Sequence, residues 1–239
     1  MEIINKPTIV GIDFSINSPS LCFLRDGKYK FVSFYNSWGK KFDDKKIVKD
    51  LIIPKELNDL DDCYVKLYKR DKASAIYSTT ETNKLNNAIS IANEIIEVIK
   101  KETRYSDYHI AIEGFSFGSK GNSFIDLIFF NSILRSYIST KLDAKSFLVF
   151  SPSHIKKTVG KGNANKVDML KGFLSNVLDD DSLKNSSFYK WCTANKDRYL
   201  INDKISKPLD DLVDAYTVLQ TLKLQLKSDL KVYSPLEKT

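Results

Sequence analysis

The amino-acid sequence predicts an α/β fold, in which a sheet of short strands is covered by helices. Three observations lead to this class. Residues 8–34 are rich in β-forming side chains and contain a hairpin signal, residues 83–102 place apolar side chains at helical spacing, and residues 109–113 form a short apolar run soon after that helix. An amphipathic helix between strands needs a sheet to pack on.

The first three strands are expected to be antiparallel. Residues 8–14 are β-rich, although they alternate poorly between apolar and polar side chains. The runs 20–24 and 29–34 flank Asp26-Gly27, a dipeptide typical of hairpin turns. Residues from about 36 to 82 are charge-rich and show no clean period, so we interpret them as an insertion for which the pattern predicts no particular structure.

The middle of the chain is predicted to contain two helices and two strands. Residues 83–102 form an amphipathic helix, residues 109–113 a buried strand that ends in a carboxylate, and residues 146–150 a further strand. Residues 123–142 are helix-like, but their apolar side chains cover an unusually wide arc. A helix that is apolar on more than one face needs cover on more than one side.

The last third of the chain is predicted to add two helices and a second insertion. Asn165, with Asp168 three residues later, is a typical cap for a helix that extends to about residue 177. Residues from about 179 to 206 are polar and form the second insertion. Pro208 is placed near the start of the final helix, because proline is favoured in the first turn.

Length and composition fit one folded domain over residues 1–239. The chain has 42% hydrophobic and 28% charged residues, close to the average for globular proteins. Its net charge of +7 and its pI of about 9.0 make an acidic polymer such as nucleic acid the first partner to test. A basic chain can also be merely soluble, so charge alone does not establish this partner.

The cysteines and the absence of apolar signals indicate a soluble, cytoplasmic protein. The three cysteines are odd in number and scattered, and only two histidines accompany them, which argues against a zinc site and for a reducing compartment. No basic segment followed by an apolar core begins the sequence, and no apolar run reaches membrane-spanning length. We therefore expect no membrane association.

Four carboxylates are placed where an ionised group is costly. Asp13 lies in the first predicted strand and Glu113 ends a later one, while Asp211 and Asp214 share a face of the last helix because they are three residues apart. Asp210 competes with Asp211 for this role, because it lies on nearly the same face. A buried carboxylate needs a partner, hydrogen bonds or a metal to compensate it. Taken singly, each residue could instead be a turn, cap or dipole-compensating residue.

Oxygen ligands without a cysteine or histidine cluster point to Mg²⁺ or Mn²⁺. Two such ions can clamp a phosphodiester, one activating water and the other stabilising the leaving oxygen. The carboxylates together therefore predict metal-dependent chemistry on a phosphate.

A basic segment, residues 151–166, accompanies the carboxylates. It combines lysines with the turn Gly160-Lys161-Gly162 before a helix start, and glycines, helix amides and lysines all suit a phosphate backbone. The spacing is not that of a Walker A loop. A solvated basic loop without a ligand is the plainer interpretation.

These segments resemble the RuvC-type Holliday-junction resolvases, which have a ribonuclease H-like fold. The matching pieces are Val10-Gly11-Ile12-Asp13, Ala111-Ile112-Glu113-Gly114-Phe115, residues 155–166 and Asp211-Leu212-Val213-Asp214-Ala215-Tyr216. Their order and rough spacing agree across most of the chain, and the lysine and glycine run is the most specific piece. The resemblance implies a five-stranded mixed sheet flanked by helices.

The resemblance also implies roles for particular residues. Four carboxylates would hold divalent metal, with two ions in each site: Asp13, Glu113, Asp211 and Asp214. Lys156 and Lys166 would be catalytic, stabilising charge at the scissile phosphate. An aromatic side chain after the strand carboxylate would wedge at the junction centre, for which Phe115 or Phe117 is the candidate, with loop packing as the alternative. The lysines expected to contact DNA are Lys120, Lys157 and Lys161.

The implied activity is the resolution of four-way DNA junctions by paired nicks from a homodimer. The helix over residues 123–142 fits a dimer, since one side can face the sheet while the other meets a second subunit; deep burial within a monomer is the alternative. Two other functions stay open, namely another ribonuclease H-like nuclease acting on RNA:DNA hybrids or other branched DNA, and a non-catalytic branched-DNA-binding module. The chain departs from the family pattern in two ways that bear on substrate range. It has the two insertions, and its basic segment is one residue shorter between the key lysines, Lys156 and Lys166.

Overall fold

The chain alternates strands and helices along most of its length. A computed structural model describes residues 6–42, 49–104, 106–115 and 121–233. The strands are β1 (Thr8–Asp13), β2 (Ser20–Arg25), β3 (Lys28–Asn36), β4 (Cys63–Tyr68), β5 (Tyr108–Glu113), β6 (Ser146–Phe150), β7 (Leu200–Ile201) and β8 (Lys204–Ile205). The helices are α1 (Lys49–Asn58), α2 (Tyr77–Thr103), α3 (Asn122–Lys141), α4 (Pro152–Val159), α5 (Lys166–Leu174), α6 (Asp181–Lys184), α7 (Ser187–Ala194), α8 (Lys196–Tyr199) and α9 (Leu209–Tyr233).

Six strands form one mixed sheet in the order β4-β3-β2-β1-β5-β6. Strand β2 is antiparallel to β1 and β3, whereas β4 runs parallel to β3, β5 to β1 and β6 to β5. Every strand of this sheet except β2 therefore ends at the same side, which we call the carboxyl edge. The predicted α/β class, the antiparallel opening and the mixed sheet flanked by helices are confirmed.

The sheet has six strands rather than the five that the resemblance implied, because the first insertion supplies β4. This strand extends the sheet beyond β3, with Cys63 and Val65 buried and Tyr64 exposed. The same insertion contains α1, and the second contains α6, α7, α8 and the β7-β8 hairpin. Both insertions thus have regular structure that the sequence pattern did not predict.

The two insertions contact each other. The carboxylate of Asp62 accepts hydrogen bonds from the backbone N–H groups of Ser187 at 2.6 Å and Phe188 at 2.9 Å, so the first insertion caps α7 of the second. The ring of Phe188 also lies 4.2 Å from that of Phe31 on β3. These contacts anchor both insertions to one face of the sheet.

Helix α9 packs directly on the backbone of β1. A Cβ atom at Gly11 would lie 2.4 Å from both the Ala215 carbonyl oxygen and the Leu219 nitrogen, so only glycine permits this approach. Apolar side chains of α9, among them Leu212 and Leu219, fill the core on this face. The close contact brings the first turns of α9 to the end of β1.

Helices α2 and α3 cover the opposite face of the sheet. Apolar residues of α2, including Ile95 and Ile99, pack with Phe130 and Leu134 of α3 and with Ile12 of β1. The predicted helix over residues 83–102 is confirmed and begins earlier, at Tyr77. No helix in the described ranges is both long enough and apolar enough to cross a membrane.

The segment predicted as a basic loop is partly helical. Ser151 caps α4 by accepting a hydrogen bond from the His154 N–H group, and Pro152 occupies the first turn. The loop is consequently confined to residues 160–165. The predicted Asn165 capping box is confirmed, although α5 ends at Leu174 rather than near residue 177.

Candidate metal centre

Three carboxylates converge at the carboxyl edge. Asp13 ends β1, while Asp211 and Asp214 lie on the first turns of α9, and each offers an oxygen within 4.8 Å of the other two. Asp13 and Asp211 are buried, with 7% and 1% exposure, and Asp214 is half-buried. The packing of α9 on β1 therefore produces the cluster that the sequence predicted for these three residues.

Glu113 joins this cluster from the neighbouring strand. In the parallel pair of β1 and β5, Ile12 lies opposite Ile112, so Asp13 and Glu113 are the next residues on adjacent strands. A hydrogen bond to Asp13 lowers the pKa of Glu113, so the two carboxyl groups lie close together. Glu113 therefore adjoins the cluster of Asp13, Asp211 and Asp214, as the sequence predicted.

Two lysines lie among these carboxylates. The Lys166 ammonium donates to Asp210 and lies 3.7 Å from oxygens of both Asp211 and Asp214. The Lys207 ammonium is 3.0 Å from Asp210 and donates to Asp211. Both lysine side chains are about half exposed. Their ammonium groups therefore contact the carboxylates from the solvent-facing side of the cluster.

Asp210 and Asp211 differ in their hydrogen-bond and ion-pair partners. Asp211 accepts hydrogen bonds from the hydroxyls of Ser15, at 3.2 Å, and Ser18, and one of its oxygens faces Asp13 and Asp214. Asp210 directs one oxygen to Lys166 and Lys207, while its other oxygen is buried without a hydrogen-bond partner among the described residues. The geometry favours Asp211 as the third carboxylate of the cluster.

Burial and mutual repulsion raise the pKa values of three carboxylates in the cluster. Burial, followed by the charges of Asp211, Asp214 and Glu113, raises the pKa of Asp13 well above its usual range. Burial also raises the pKa of Asp214 to about 7, although Lys166 opposes this effect. For Glu113, burial raises the pKa against the lowering effects of the Asp13 hydrogen bond and of the Lys156 and Lys166 ammonium groups.

The donor set fits a divalent cation. It consists of carboxylate oxygens alone, and Asp13 and Asp211 are buried. The raised pKa values of Asp13 and Asp214 reflect negative charge that lacks full compensation. Hard cations such as Mg²⁺ and Mn²⁺ prefer such oxygen ligands. A bound cation would favour the deprotonated carboxylates, because metal ligands must be deprotonated.

The predicted lysines of the basic segment lie at different distances from this cluster. Lys156 on α4 is half-buried and close enough to Glu113 to lower its pKa, after the larger effects of burial and the Asp13 hydrogen bond. Lys157 is exposed, and its aliphatic stem lies against Gly162. Lys161 is exposed in the loop before α5. Only Lys156 and Lys166 of the basic segment therefore adjoin the carboxylates.

Phe115 follows Glu113 at the carboxyl edge and is half-buried. The Arg135 guanidinium lies 4.5 Å from its ring centroid and donates a hydrogen bond to the Glu113 carbonyl oxygen at 3.2 Å. The Phe124 ring meets Phe115 edge-on. Arg135 thus fixes both the strand end and the first aromatic side chain after it. Phe117 and Lys120 lie outside the described residues.

Sequence reasoning missed several residues of the site. Lys207 lies two residues before α9 and contacts Asp210 and Asp211 from that turn, so helical spacing does not identify it. Ser15 and Ser18 reach Asp211 only through the fold, and Arg135 comes from α3. For these three residues, too, the sequence carries no signal.

Comparisons with known proteins are limited to structure. No family model matches the sequence, and no curated protein matches it. The structure is similar to that of Thermus thermophilus RuvC, at 12% identity and a TM-score of 0.45, covering 93% of this chain and 96% of the other. It is also similar to T. thermophilus RuvC in complex with Holliday junction substrate, at 12% identity and a TM-score of 0.48, covering 94% and 97%.

A third similar structure is that of Ydc2, the yeast mitochondrial Holliday junction resolvase, at 14% identity and a TM-score of 0.48, covering 97% of this chain and 84% of the other. The three structures are of two proteins, RuvC and Ydc2, and both are of the kind that the sequence motifs resemble. At these identities the likeness concerns the fold alone.

Proposed function

We propose that this chain is a metal-dependent endodeoxyribonuclease that resolves four-way DNA junctions by hydrolysing phosphodiesters in paired, symmetric nicks. The observation that carries the proposal is the convergence of Asp13, Glu113, Asp211 and Asp214 at the carboxyl edge, with Lys166 among them. Four carboxylates at one site cost stability, and a divalent cation is the partner that compensates them best.

In this proposal some residues hold the metal ions and others contact the scissile phosphate. The four carboxylates would hold Mg²⁺ or Mn²⁺, as two ions, which would supply Lewis-acid activation of a phosphodiester and of water. The Ser15 and Ser18 hydroxyls hold the Asp211 carboxylate in place. The Lys166 side chain is 55% exposed, so its ammonium can turn from Asp210 to the charge that develops on the scissile phosphate.

Lys156 would act beside Lys166. It lies on α4 next to Glu113, on the side of the cluster nearest β6, where an incoming phosphate would need a positive charge. The exposed Lys157 and Lys161 would contact neighbouring phosphates of the same DNA arm. Such contacts supply affinity that falls steeply with salt and carry little sequence information.

Phe115 would serve as the wedge at the junction centre. Its ring is held between the Arg135 guanidinium and the Phe124 edge, so it is already ordered before DNA binds. Prior ordering lowers the entropy lost on binding. Phe117 and Lys120 stay proposals made from the sequence.

A homodimer would form through α3. Its inner side buries Phe130, Leu134 and Ile138, whereas Ile125 and Phe129 are 65% and 39% exposed beside a shallow groove of about 540 Å³. An isologous contact of two α3 helices would cover this face and place two sites about a two-fold axis, matching the symmetry of a four-way junction. Sedimentation of wild type and Ile125→Glu tests this, since the substitution should give a monomer.

The nuclease proposal is tested by cleavage of an immobile four-way junction beside a matched duplex and an RNA:DNA hybrid. Wild type and Asp13→Asn are incubated with Mg²⁺, Mn²⁺ or EDTA. Paired, metal-dependent nicks on the junction alone, lost in Asp13→Asn, are expected. Cleavage of the hybrid instead would assign the chain to another branch of ribonuclease H-like nucleases.

A non-catalytic branched-DNA-binding module is the second candidate, and one observation favours it. Lys166 and Lys207 already place two ammonium groups among the carboxylates, which offsets part of their charge without a metal. This function requires that Mn²⁺ fails to bind at millimolar concentration while junction binding persists. Calorimetric titration of wild type with Mn²⁺, compared with Asp13→Asn, separates the two candidates.

A further inference from the structure

A turn after β3 exposes a tryptophan at the carboxyl edge. The Ser37 carbonyl accepts a hydrogen bond from the Lys40 N–H group at 3.1 Å, and between them Trp38 and Gly39 have φ angles of 54° and 89°. Two central residues with positive φ define a type I′ turn, for which Asn-Gly is preferred. A bulky aromatic residue is strained in this conformation.

Trp38 is exceptional within the described part of the chain. The other residues with positive φ, apart from glycines, are all aspartate or asparagine: Asp26, Asn176, Asp179, Asn202 and Asp203. Those side chains tolerate the left-handed region, whereas an indole does not. The strain at Trp38 therefore needs an explanation other than turn formation.

Packing does not supply that explanation. Trp38 is 52% exposed, and no ring or cation–π contact among the described residues involves its indole. The other tryptophan, Trp191, is stacked on Tyr199 with ring centroids 5.8 Å apart. Trp38 thus combines a strained backbone with an exposed apolar ring, and both cost stability.

Lysines line two grooves at this turn. A groove of about 410 Å³ separates Trp38 from residues 70–73, which include Lys72. A second groove, of about 500 Å³, is lined by Gly39 of the turn and by Lys40 and Lys69. We call Trp38, Lys40, Lys69 and Lys72 the Trp38 surface. No ion pair among the described residues engages its three lysines, and Asp71 is the acidic residue beside them.

The Trp38 surface is tied to the metal centre through the loop after β1. The Asn36 N–H group donates to the Asn17 carbonyl at 2.8 Å, the Arg70 guanidinium donates to the Asn17 side chain at 3.0 Å, and the Tyr68 hydroxyl donates to the Ile16 carbonyl at 2.6 Å. The same loop carries Ser15 and Ser18, which hold Asp211. The ends of β3 and β4 are therefore fixed relative to the carboxylates.

We propose that the Trp38 surface binds branched DNA on the side of the metal centre opposite α4, with the indole stacked on an unpaired base and the lysines on flanking phosphates. The inference rests on the proposed function for the identity of its ligand. Strand β3 lies two places from β1, about 10 Å away, which corresponds to about three steps of a DNA strand. A base face is accessible to an indole only where the duplex is opened, as at a branch point.

The chain offers a direct optical test. Because it contains two tryptophans, Trp191→Phe leaves Trp38 as the sole indole reporter, and Trp38→Phe leaves Trp191 as the matched control. Each full-length variant is titrated in EDTA with an immobile four-way junction and with a perfectly paired duplex. Stacking should quench the Trp38 emission with the junction and change it little with the duplex, while the Trp191 emission stays constant.

Binding and stability should change in opposite directions in Trp38→Asn. Asparagine suits the first central position of a type I′ turn, so this variant should melt at a higher temperature than wild type. Its dissociation constant for the junction should rise by about five- to a hundredfold, whereas Trp38→Phe should keep most of the affinity. A purely structural tryptophan would give lower stability and unchanged binding.

The outcomes separate this inference from the nuclease proposal. Unchanged Trp38 emission on junction binding, or equal affinity of Trp38→Asn and wild type, would overturn the inference while leaving junction cleavage intact. Quenching without cleavage under any metal would overturn the nuclease proposal and retain the DNA surface. Failure to bind either DNA would overturn both, and would leave a protein partner as the ligand of the exposed indole.

Discussion

Replacing Asp214 by asparagine should stabilise the metal-free chain at high pH. Burial raises the pKa of Asp214 from its ordinary value of 3.8 to about 7. Between these two values the folded state binds more protons than the unfolded state, so the free energy of unfolding falls as pH rises. Below pH 3.8 the protonated Asp214 carboxyl group does not lower the free energy of unfolding. Above pH 7 the ionised group lowers it by the full amount.

The magnitude follows from the pKa. A rise of about three pKa units, at about 1.4 kcal/mol each, makes the ionised Asp214 carboxylate cost up to about 4 kcal/mol in the metal-free fold. Asparagine carries no charge at any pH. The Asp214→Asn variant should therefore exceed wild type in unfolding free energy by up to about 4 kcal/mol at pH 8, and by little at pH 4.

Urea unfolding in EDTA at several pH values measures this difference. Asp203→Asn, a matched loss of charge at an exposed turn, should show no such pH-dependent gain. Adding Mn²⁺ at pH 8 should stabilise wild type and leave Asp214→Asn nearly unchanged, because the ion compensates the carboxylates. A stability difference that is absent at pH 8, or constant with pH, would refute the assignment of Asp214 to a proton-retaining cluster.

Three further substitutions test other parts of the molecule. Gly11→Ala should lower the free energy of unfolding by about 3 kcal/mol or more, because the new Cβ atom would lie 2.4 Å from backbone atoms of α9. Urea unfolding measures this loss, and a smaller loss would mean that α9 can shift. Lys207→Gln should bind Mn²⁺ more tightly than wild type in calorimetric titration, because the Lys207 ammonium no longer competes with the ion for the carboxylates. Weaker binding would instead mean that Lys207 holds Asp211 in place. Lys157→Gln should lower the slope of log binding constant against log salt concentration for the junction by about 1. The control Lys145→Gln, just before β6 at the opposite edge of the sheet, should leave this slope unchanged. Equal slopes for both variants would place the DNA elsewhere.

The carboxylates could be predicted because each interrupts an apolar pattern. Asp13 and Glu113 end runs that are otherwise buried, and Asp211 and Asp214 share a helix face by spacing alone. A buried charge is so costly that its presence in such a pattern is informative even without a structure. The pattern did not separate Asp211 from Asp210, because the Ser15 and Ser18 hydroxyls that distinguish them come from a distant part of the chain.

Other features depend on partners that are distant in sequence. Strand β4 buries only Cys63 and Val65 and exposes Tyr64, so it gives a weak alternating signal within a charge-rich segment. Its strand character comes from pairing with β3. The turn at Trp38 was missed for another reason, since Trp-Gly lacks the residue types by which type I′ turns are recognised.

The costs in this fold concentrate at the carboxyl edge. Asp13 is buried among like charges, one Asp210 oxygen is buried without a described partner, and Trp38 holds a strained turn at that same edge. The hairpin turn at Asp26-Gly27, on the opposite side of the sheet, instead uses residues that suit positive φ. Locally unfavourable residues are typical of functional sites, and their clustering on one edge supports the proposals that metal and DNA would both bind there.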